Sequence, residues 1–251
     1  MKKVHIQSQL PIEHFKEHIH VDFANPFLGG GVLSSGLIQE EIRFITFPEC
    51  IVSMIFFEKL EDNEAAIIYG AEQFSQYKGY GKSFQFNGDF TEKYNVIQGE
   101  KNIIDTVLVA IDAIHFQQEQ INLQYNEFFR NREIIKALAG FEGIKIEEQN
   151  NFANQKKSIV TGNWGCGYFK GDKELKFMIQ WICASLSQRD MIFCTYNDKD
   201  QEFRTNEIYE ILKDKYTDQV YLIFKEYYQL QKQAQGKQII SLFNFIIQLA
   251  H

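Results

Sequence analysis

The stretch Val21–Phe44, VDFANPFLGGGVLSSGLIQEEIRF, decides how the rest of this chain is read. Its first residues complete an apolar strand. Gly29, Gly30 and Gly31 then make a turn, and Gln39, Glu40 and Glu41 open a helix whose apolar stripe is Leu37, Ile38, Ile42 and Ile45. Taken alone, three glycines are commonly no more than a tight turn. The order strand, glycines, helix gives them a second reading, because such a junction aims free N–H groups at an anion near a helix start. A backbone without side chains can wrap closely round a phosphate-like group.

Glu40 and Glu41 lie beside that turn. One reading is a solvated pair favoured by the helix dipole; the other is acid–base chemistry. Adjacent helical residues point about 100° apart, so the two cannot face one sugar bond from opposite sides as a glycosidase pair does. One would transfer the proton and the other would hold hydroxyls. The first must keep its proton more tightly than the dipole favours, and a dry pocket and a neighbouring diphosphate both push that way. Asp22 and Asn25 flank the glycines. An aspartate at a strand end is often only a turn former, whereas Asn25 can hydrogen-bond a sugar hydroxyl.

A second junction repeats the logic. The strand at 158–162 is followed by NWGCGYFKGD, in which Gly162, Gly165 and Gly167 free the backbone and Asp172 can cap the next helix. Two such junctions suit a ligand with a diphosphate at its middle. Neither is followed by Gly-Lys-Ser/Thr, so this is not a Walker loop.

Further strands are expected at 4–9, 18–24, 65–70, 106–114 and 191–196, those at 65–70 and 106–114 being continuous apolar runs of a buried sheet. Helices are expected from Leu37 to Thr46, over 48–60 with Pro48 at its start, from Tyr125 to Ala139 with Gly140 as the stop, and from Lys173 to Gln188. Thr205 to His251 reads as helices broken at Gly236. Residues 73–98 read as loop with a hairpin, and 143–157 as a polar surface loop. Alternating strands and helices predict a three-layer α/β domain with a mixed sheet and extra C-terminal helices on its outside.

The chain has 251 residues, 45% of them hydrophobic, with 23 Phe, 12 Tyr and only 3 Pro, as expected of a packed core rather than a disordered chain. Its net charge of -7 argues against general electrostatic binding to nucleic acid or an anionic membrane. An anionic ligand must then be held by local backbone donors. The N-terminal residues have no apolar signal core, and no run of about 18 apolar residues occurs. Cys50, Cys166, Cys183 and Cys194 include no CxxC, so neither zinc nor a disulfide framework is expected, and a reducing intracellular location is. His14, His18 and His20 lack a facing ligand set, and Lys156-Lys157 is too short for a nucleic-acid patch. Phe74, Tyr77, Tyr80 and Tyr196 can be core or can stack a base or ribose; the polar, glycine-flanked loop around Tyr77 favours a ligand role for it.

VDFAN, GGG and QEEIRF, with GAEQFSQYKGY at 70–80, VAIDAIHF at 109–116, TGNWGCGYFKGD at 161–172 and RDMIFCTYND at 189–198, resemble the poly(ADP-ribose) glycohydrolase family in that order over nearly the whole chain. The resemblance implies a macrodomain, a three-layer α/β/α fold with a mixed central sheet. It implies a single catalytic domain over 1–251, lacking the helical region that precedes it in longer members. It also implies metal-independent hydrolysis, without a cofactor, of the ribose–ribose O-glycosidic bonds of poly(ADP-ribose), mainly from the chain end, releasing ADP-ribose. By motif, Glu41 would be the acid and base, and Glu40 would bind ribose hydroxyls. Gln39, Asn25, Asp22 and the glycines Gly29, Gly30 and Gly31 would support the site. Asn163, Gly165, Cys166, Gly167, Tyr168 and Phe169 would hold the diphosphate, Tyr77 would cover diphosphate and ribose, Tyr196 would stack the adenine, and Ile12 and Glu13 would contact it. Tyr196 departs from a stacking Phe, and Tyr168 from a small residue. The implied partners are poly(ADP-ribose) and ADP-ribose, with no DNA or membrane, for a monomer in the cytoplasm or nucleus with a place in the DNA damage response. An ADP-ribose-binding reader with little turnover, and a hydrolase of mono-ADP-ribosyl conjugates, are the alternatives left open.

Overall fold

The computed structural model describes residues 1–97, 103–148, 157–234 and 240–250. Its strands are β1 (Val4–Gln7), β2 (Ile19–Ala24), β3 (Ala66–Tyr69), β4 (Ser75–Lys78), β5 (Gln85–Asp89), β6 (Val96–Ile97), β7 (Ile103–Ile104), β8 (Val107–Asp112), β9 (Ile159–Gly162) and β10 (Met191–Cys194). The helices are α1 (Gln39–Thr46), α2 (Cys50–Ser53), α3 (Glu127–Glu148), α4 (Lys173–Leu186), α5 (Lys199–Leu212), α6 (Thr217–Gln233) and α7 (Leu242–Ala250).

Six strands form one sheet in the order β1-β10-β9-β2-β8-β3. All neighbours run parallel except β3, which is antiparallel to β8. Every residue of β8 is buried, as a strand covered on both faces requires. One face carries Val21, Val109, Ile111, Ile159 and Phe193, packed against α3 and α4, with α5, α6 and α7 completing that side. The other face is thinner: Ala24, Ala66, Leu108 and Ala110 meet Phe44, Phe47 and Cys50 of the α1–α2 segment. Small residues there let α1 lie close to the sheet. α4 is buried on all sides from Leu175 to Ser185, because helices surround it and the sheet lies beneath. The expected mixed α/β sandwich is therefore present, with unequal layers. Among the described residues no helix is long and apolar enough to cross a membrane.

Several local expectations need correction. The segment 48–60 is not one helix. α2 ends at Ser53, whose hydroxyl donates to Cys50 O (2.6 Å), and Leu60 N–H is taken by Pro26 O (2.8 Å), which pulls the chain back to the glycine turn. Gly140 does not stop α3; a Cβ there would lie 2.7 Å from Val109 Cγ1, so glycine serves close contact with β8 and the helix continues to Glu148. Part of the expected loop at 143–157 is thus helical, and 149–156 lie outside the described residues, as does Gly236. β10 ends at Cys194, and α5 starts at Lys199 rather than Thr205, because the Asp198 side chain accepts from Gln201 N–H (2.9 Å) and caps it. The loop at 73–97 does contain a hairpin, β4 against β5.

The close approach at Gly140 yields a test. Gly140→Leu should destabilise the fold by about 1–3 kcal/mol through overpacking against β8. Urea denaturation would measure it, and an unchanged midpoint would mean that the helix–sheet spacing has slack.

Candidate active site

Every parallel strand ends on the same edge of the sheet, and the functional loops follow β2, β8, β9 and β10 there. β2 and β9 pair only at Ile19↔Ile159 and His20↔Val160, then part. The parted strand would leave backbone groups unpaired. Gln39 replaces the missing neighbour: its Oε1 accepts from Phe23 N–H (2.8 Å) and its Nε2 donates to Val21 O (3.2 Å). A side-chain amide carries both functions, so Gln39 fixes the first turn of α1 to β2.

The glycine turn holds the two glutamates rather than an outside anion. Gly29 N–H and Asn25 N–H donate to the Glu40 carboxyl (2.7 and 2.9 Å). Gly31 N–H and Ile38 N–H donate to Glu41 (3.0 and 2.9 Å). This corrects the expectation that Gly29–Gly31 offer free donors to a diphosphate. Gly30 has φ +48°, and a Cβ on it would lie 2.6 Å from Glu41 Oε1 and 2.8 Å from Glu40 Oε2. The turn is glycine because carboxylates occupy the space a side chain would need. Asn25 Oδ1 is engaged by Phe27 N–H (3.0 Å), which shapes the start of the turn.

Glu40 and Glu41 are 2% and 6% exposed. Burial first, then the Asp22 carboxyl, push Glu40 up to about 9, against the N–H bonds from Asn25 and Gly29. Asp22 is fully buried on β2, and neither carboxyl oxygen has a hydrogen-bond partner. Burial pushes it up to about 7, the Arg43 guanidinium opposing and the Glu41 and Glu13 carboxyls reinforcing. Arg43, three residues after Glu40, is buried behind them, bonded to Glu13 Oε1 (3.2 Å) and His20 Nδ1 (3.1 Å). Burial and then Arg43 lower His20 to about 3, so it is a neutral hydrogen-bonding partner whose Nε2 meets Phe15 O (2.9 Å). Glu13 and Asp22 face the guanidinium, and at neutral pH Glu40 keeps its proton.

Beside this cluster lies a cavity of about 380 Å³. Ile12 and Glu13 line it, with Gln39, Tyr77, Asn163, Gly165, Cys166, Gly167, Tyr168, Phe169 and Tyr196, as the sequence reading expected. Asp22, Asn25, Gly29–Gly31, Glu40 and Glu41 are not on its wall; they adjoin it through Ala24, Ile38 and Gln39. In the second glycine loop the N–H groups of Gly165, Gly167, Tyr168 and Phe169 donate to no group among the described residues, while Gly171 N–H closes the loop onto Gly165 O (2.9 Å). The loop therefore leaves four backbone donors available to an anion. A Cβ on Gly167 would meet nothing within 4 Å. Asn163 turns away, its amide paired reciprocally with Gln201 (3.0 and 2.6 Å), which ties the loop to α5. Burial pushes the Cys166 thiol up, so it is a packing group.

Tyr196 is 55% exposed at φ +52°, and its ring lies 5.5 Å from that of Tyr80. Tyr77 packs on Phe84 (5.7 Å). The aromatic loop is pinned by Gly81 N–H to Leu37 O (3.0 Å), and both Tyr77 and Tyr80 line the cavity, Tyr80 being the more exposed. Its position beside Tyr77 in a glycine-dotted loop was the only signal in the sequence. Tyr168 is 74% exposed, against His115 (5.0 Å). Sequence reasoning also missed Arg43, and Trp164, whose indole N–H reaches Ile111 O (2.9 Å) under the loop.

Asp22 makes a pH test. Its proton stays on in the folded chain and leaves the unfolded one in the ordinary aspartate range, so folding takes up a proton. The stability linked to it is full below about pH 4 and is lost by about pH 7. Asp22→Asn should therefore gain in melting temperature relative to the parent as pH rises across that window, and the difference should level off above it. A difference independent of pH would remove the buried proton from Asp22.

Comparisons with known proteins show the family. A family profile described as poly(ADP-ribose) glycohydrolase, macro domain fold, matches residues 1–203. The chain is 36% identical over 226 residues to poly(ADP-ribose) glycohydrolase 1 of Caenorhabditis elegans, covering 86% of this chain and 28% of the relative. It is 34% identical over 234 residues to poly(ADP-ribose) glycohydrolase 1 of Arabidopsis thaliana, covering 69% of this chain and 42% of that protein. The chain spans less than half the length of these curated relatives. Among solved structures, it aligns with the poly(ADP-ribose) glycohydrolase of Thermomonospora curvata, bound to the inhibitor ADP-HPD, at 12% identity and a TM-score of 0.42 over 78% of this chain and 73% of that one. With the family profile covering most of its length, this chain belongs to the poly(ADP-ribose) glycohydrolase catalytic family and has its macro domain fold.

Proposed function

We propose that this domain hydrolyses the ribose–ribose O-glycosidic bonds of poly(ADP-ribose), mainly from the chain end, and releases ADP-ribose. The observation that carries the proposal is the buried Glu40–Glu41 pair, held by four backbone N–H groups beside a cavity whose second glycine loop has unpaired donors. The loop at 165–169 would take the diphosphate, and Tyr80 and Tyr196 would cover the adenosine end. The distal ribose would then lie toward Gln39 and the glutamates. The glycosidic C–O bond breaks with its electron pair going to the leaving ribose oxygen, which takes the proton of Glu41. Positive charge on the sugar is stabilised by the nearby diphosphate. Water adds to the anomeric carbon and returns a proton to Glu41. Glu40, held neutral near pH 7, can both donate to and accept from the ribose hydroxyls. The proposed reaction uses no divalent metal.

A reader of ADP-ribose would need the cavity but not an acid. The buried pair therefore favours the enzyme. The deciding experiment incubates polymer and a mono-ADP-ribosylated peptide, each with and without chelator, and follows free ADP-ribose. Release from polymer, insensitive to chelator, is expected, with the peptide cut poorly because its aglycone is not a ribose. Tight binding without product would leave a reader.

Two substitutions separate the roles. Glu41→Gln should abolish turnover and keep ADP-ribose affinity within about tenfold, roughly 1.4 kcal/mol. Near-parental single-turnover rates would move the proton transfer to another group. Gly30→Val should also abolish turnover, because its side chain displaces both carboxyls. Gly167→Val has room in the protein and should instead lose ADP-ribose binding by projecting where the ligand lies. Calorimetry on the folded variants distinguishes the two glycines.

A further inference from the structure

The second glycine loop carries an aromatic platform for which neither folding nor the diphosphate accounts. Tyr168 lies on the cavity wall and is 74% exposed. Its ring lies 5.0 Å from that of His115, itself exposed, and 6.0 Å from that of Phe169. His115 and Phe169 stack on each other at 5.0 Å and 16°. The backbone beneath is fixed: Phe116 N–H donates to Phe169 O (3.1 Å), and Lys170 N–H, at φ +58°, to Gly167 O (3.1 Å). The Tyr168 ring buries little, and the His115–Phe169 stack is complete without it. A diphosphate would use the N–H groups of this loop and leave the ring free.

Sheet order places the platform. Tyr196 follows β10 and His115 follows β8, three steps away along β10-β9-β2-β8. At about 4.8 Å per step the two ends of the crevice are roughly 14 Å apart. The loop at 165–169 follows β9 and the glutamates follow β2, both between those ends. A unit with its adenine at Tyr196 and its diphosphate on the loop has its distal ribose near the middle of the sheet edge. Whatever is joined to that ribose then continues toward β8, where Tyr168 reaches across to His115. In the polymer the joined group is the adenosine of the next unit, whose base lies one sugar away from the scissile bond. An exposed ring is a platform on which a base can stack.

We propose that Tyr168, backed by His115 and Phe169, is a second base-stacking subsite, which takes the adenine on the leaving side of the scissile bond. The proposal rests on reading the cavity as a poly(ADP-ribose) hydrolase site. The subsite touches the leaving group and not the unit held by the diphosphate loop, so it selects an adenosine as the leaving group over a bare sugar.

The test measures kcat/KM on two substrates with the same ribose–ribose bond. One is a dimer of ADP-ribose; the other is an ADP-ribosyl–ribose analogue with no base on the leaving side. The parent protein should favour the dimer by about tenfold. Tyr168→Ala keeps the backbone N–H and should bring that preference to within about twofold of unity. Tyr168→Phe keeps the ring and should restore it. A preference in Tyr168→Ala equal to the parent's, or a parent with no preference, would overturn the subsite and leave the hydrolase reading standing. Parent protein that cleaves neither substrate would overturn that reading, and the subsite with it.

Discussion

The parting of β2 from β9 after His20 is the constraint on which the site depends. A parallel sheet that stayed zipped would satisfy its own backbone and leave no crevice at the ends of its central strands. Here the crevice opens between neighbours in the sheet, where open α/β folds place ligands. The unpaired edge of β2 has to be satisfied some other way, and the Gln39 amide does it from α1. That bond sets the position of the next two residues. Glu40 and Glu41 are thus aimed by sheet geometry, through one side chain, before their own hydrogen bonds are counted.

Those bonds make a site that is preorganised and electrostatically loaded. Four backbone N–H groups hold the pair, and each such bond to a neutral carboxyl contributes about 0.5–1.5 kcal/mol. Against this stand the burial of Asp22 with no partner and of Glu40 with a pKa near 9, both of which cost stability at neutral pH. Unsatisfied buried acids gathered beside a cavity are a pattern of functional sites. The stability they cost is offset by the thick side of the sandwich, where α4 is enclosed by helices and sheet.

The two glycine loops look alike in sequence and do different things. The first is closed on internal anions, the carboxyls of Glu40 and Glu41. The second keeps four N–H groups unpaired, with Lys176 packed beneath it. The difference lies in the helix downstream of each loop. Gln39, Glu40 and Glu41 turn back into the first; after the second, Lys173 lies on the cavity wall and Lys176 packs under the loop.

The amino-acid order alone specifies the strands, most helices, the α/β class, the two junctions and the residues of the glutamate pair. These are local signals: continuous apolar runs, glycines at strand ends, a capping aspartate, and acids in a first helical turn. Family motifs add the residues around the cavity. The order of residues does not specify that Gly140 lets α3 continue along β8, that Ser53 ends α2, or that Tyr80 joins Tyr77 on the cavity wall. Nor does it separate the two glycine loops, or reveal that Asp22 is buried without a partner and that Arg43 and Trp164 are buried beside the site. Each of these depends on the groups that lie across the fold. A glycine has the same conformational freedom whether it makes room for a strand, a carboxylate or a ligand, and a lysine in an amphipathic helix reads as solvated until its helix is enclosed. Tertiary packing supplies the neighbour, and the neighbour decides the role.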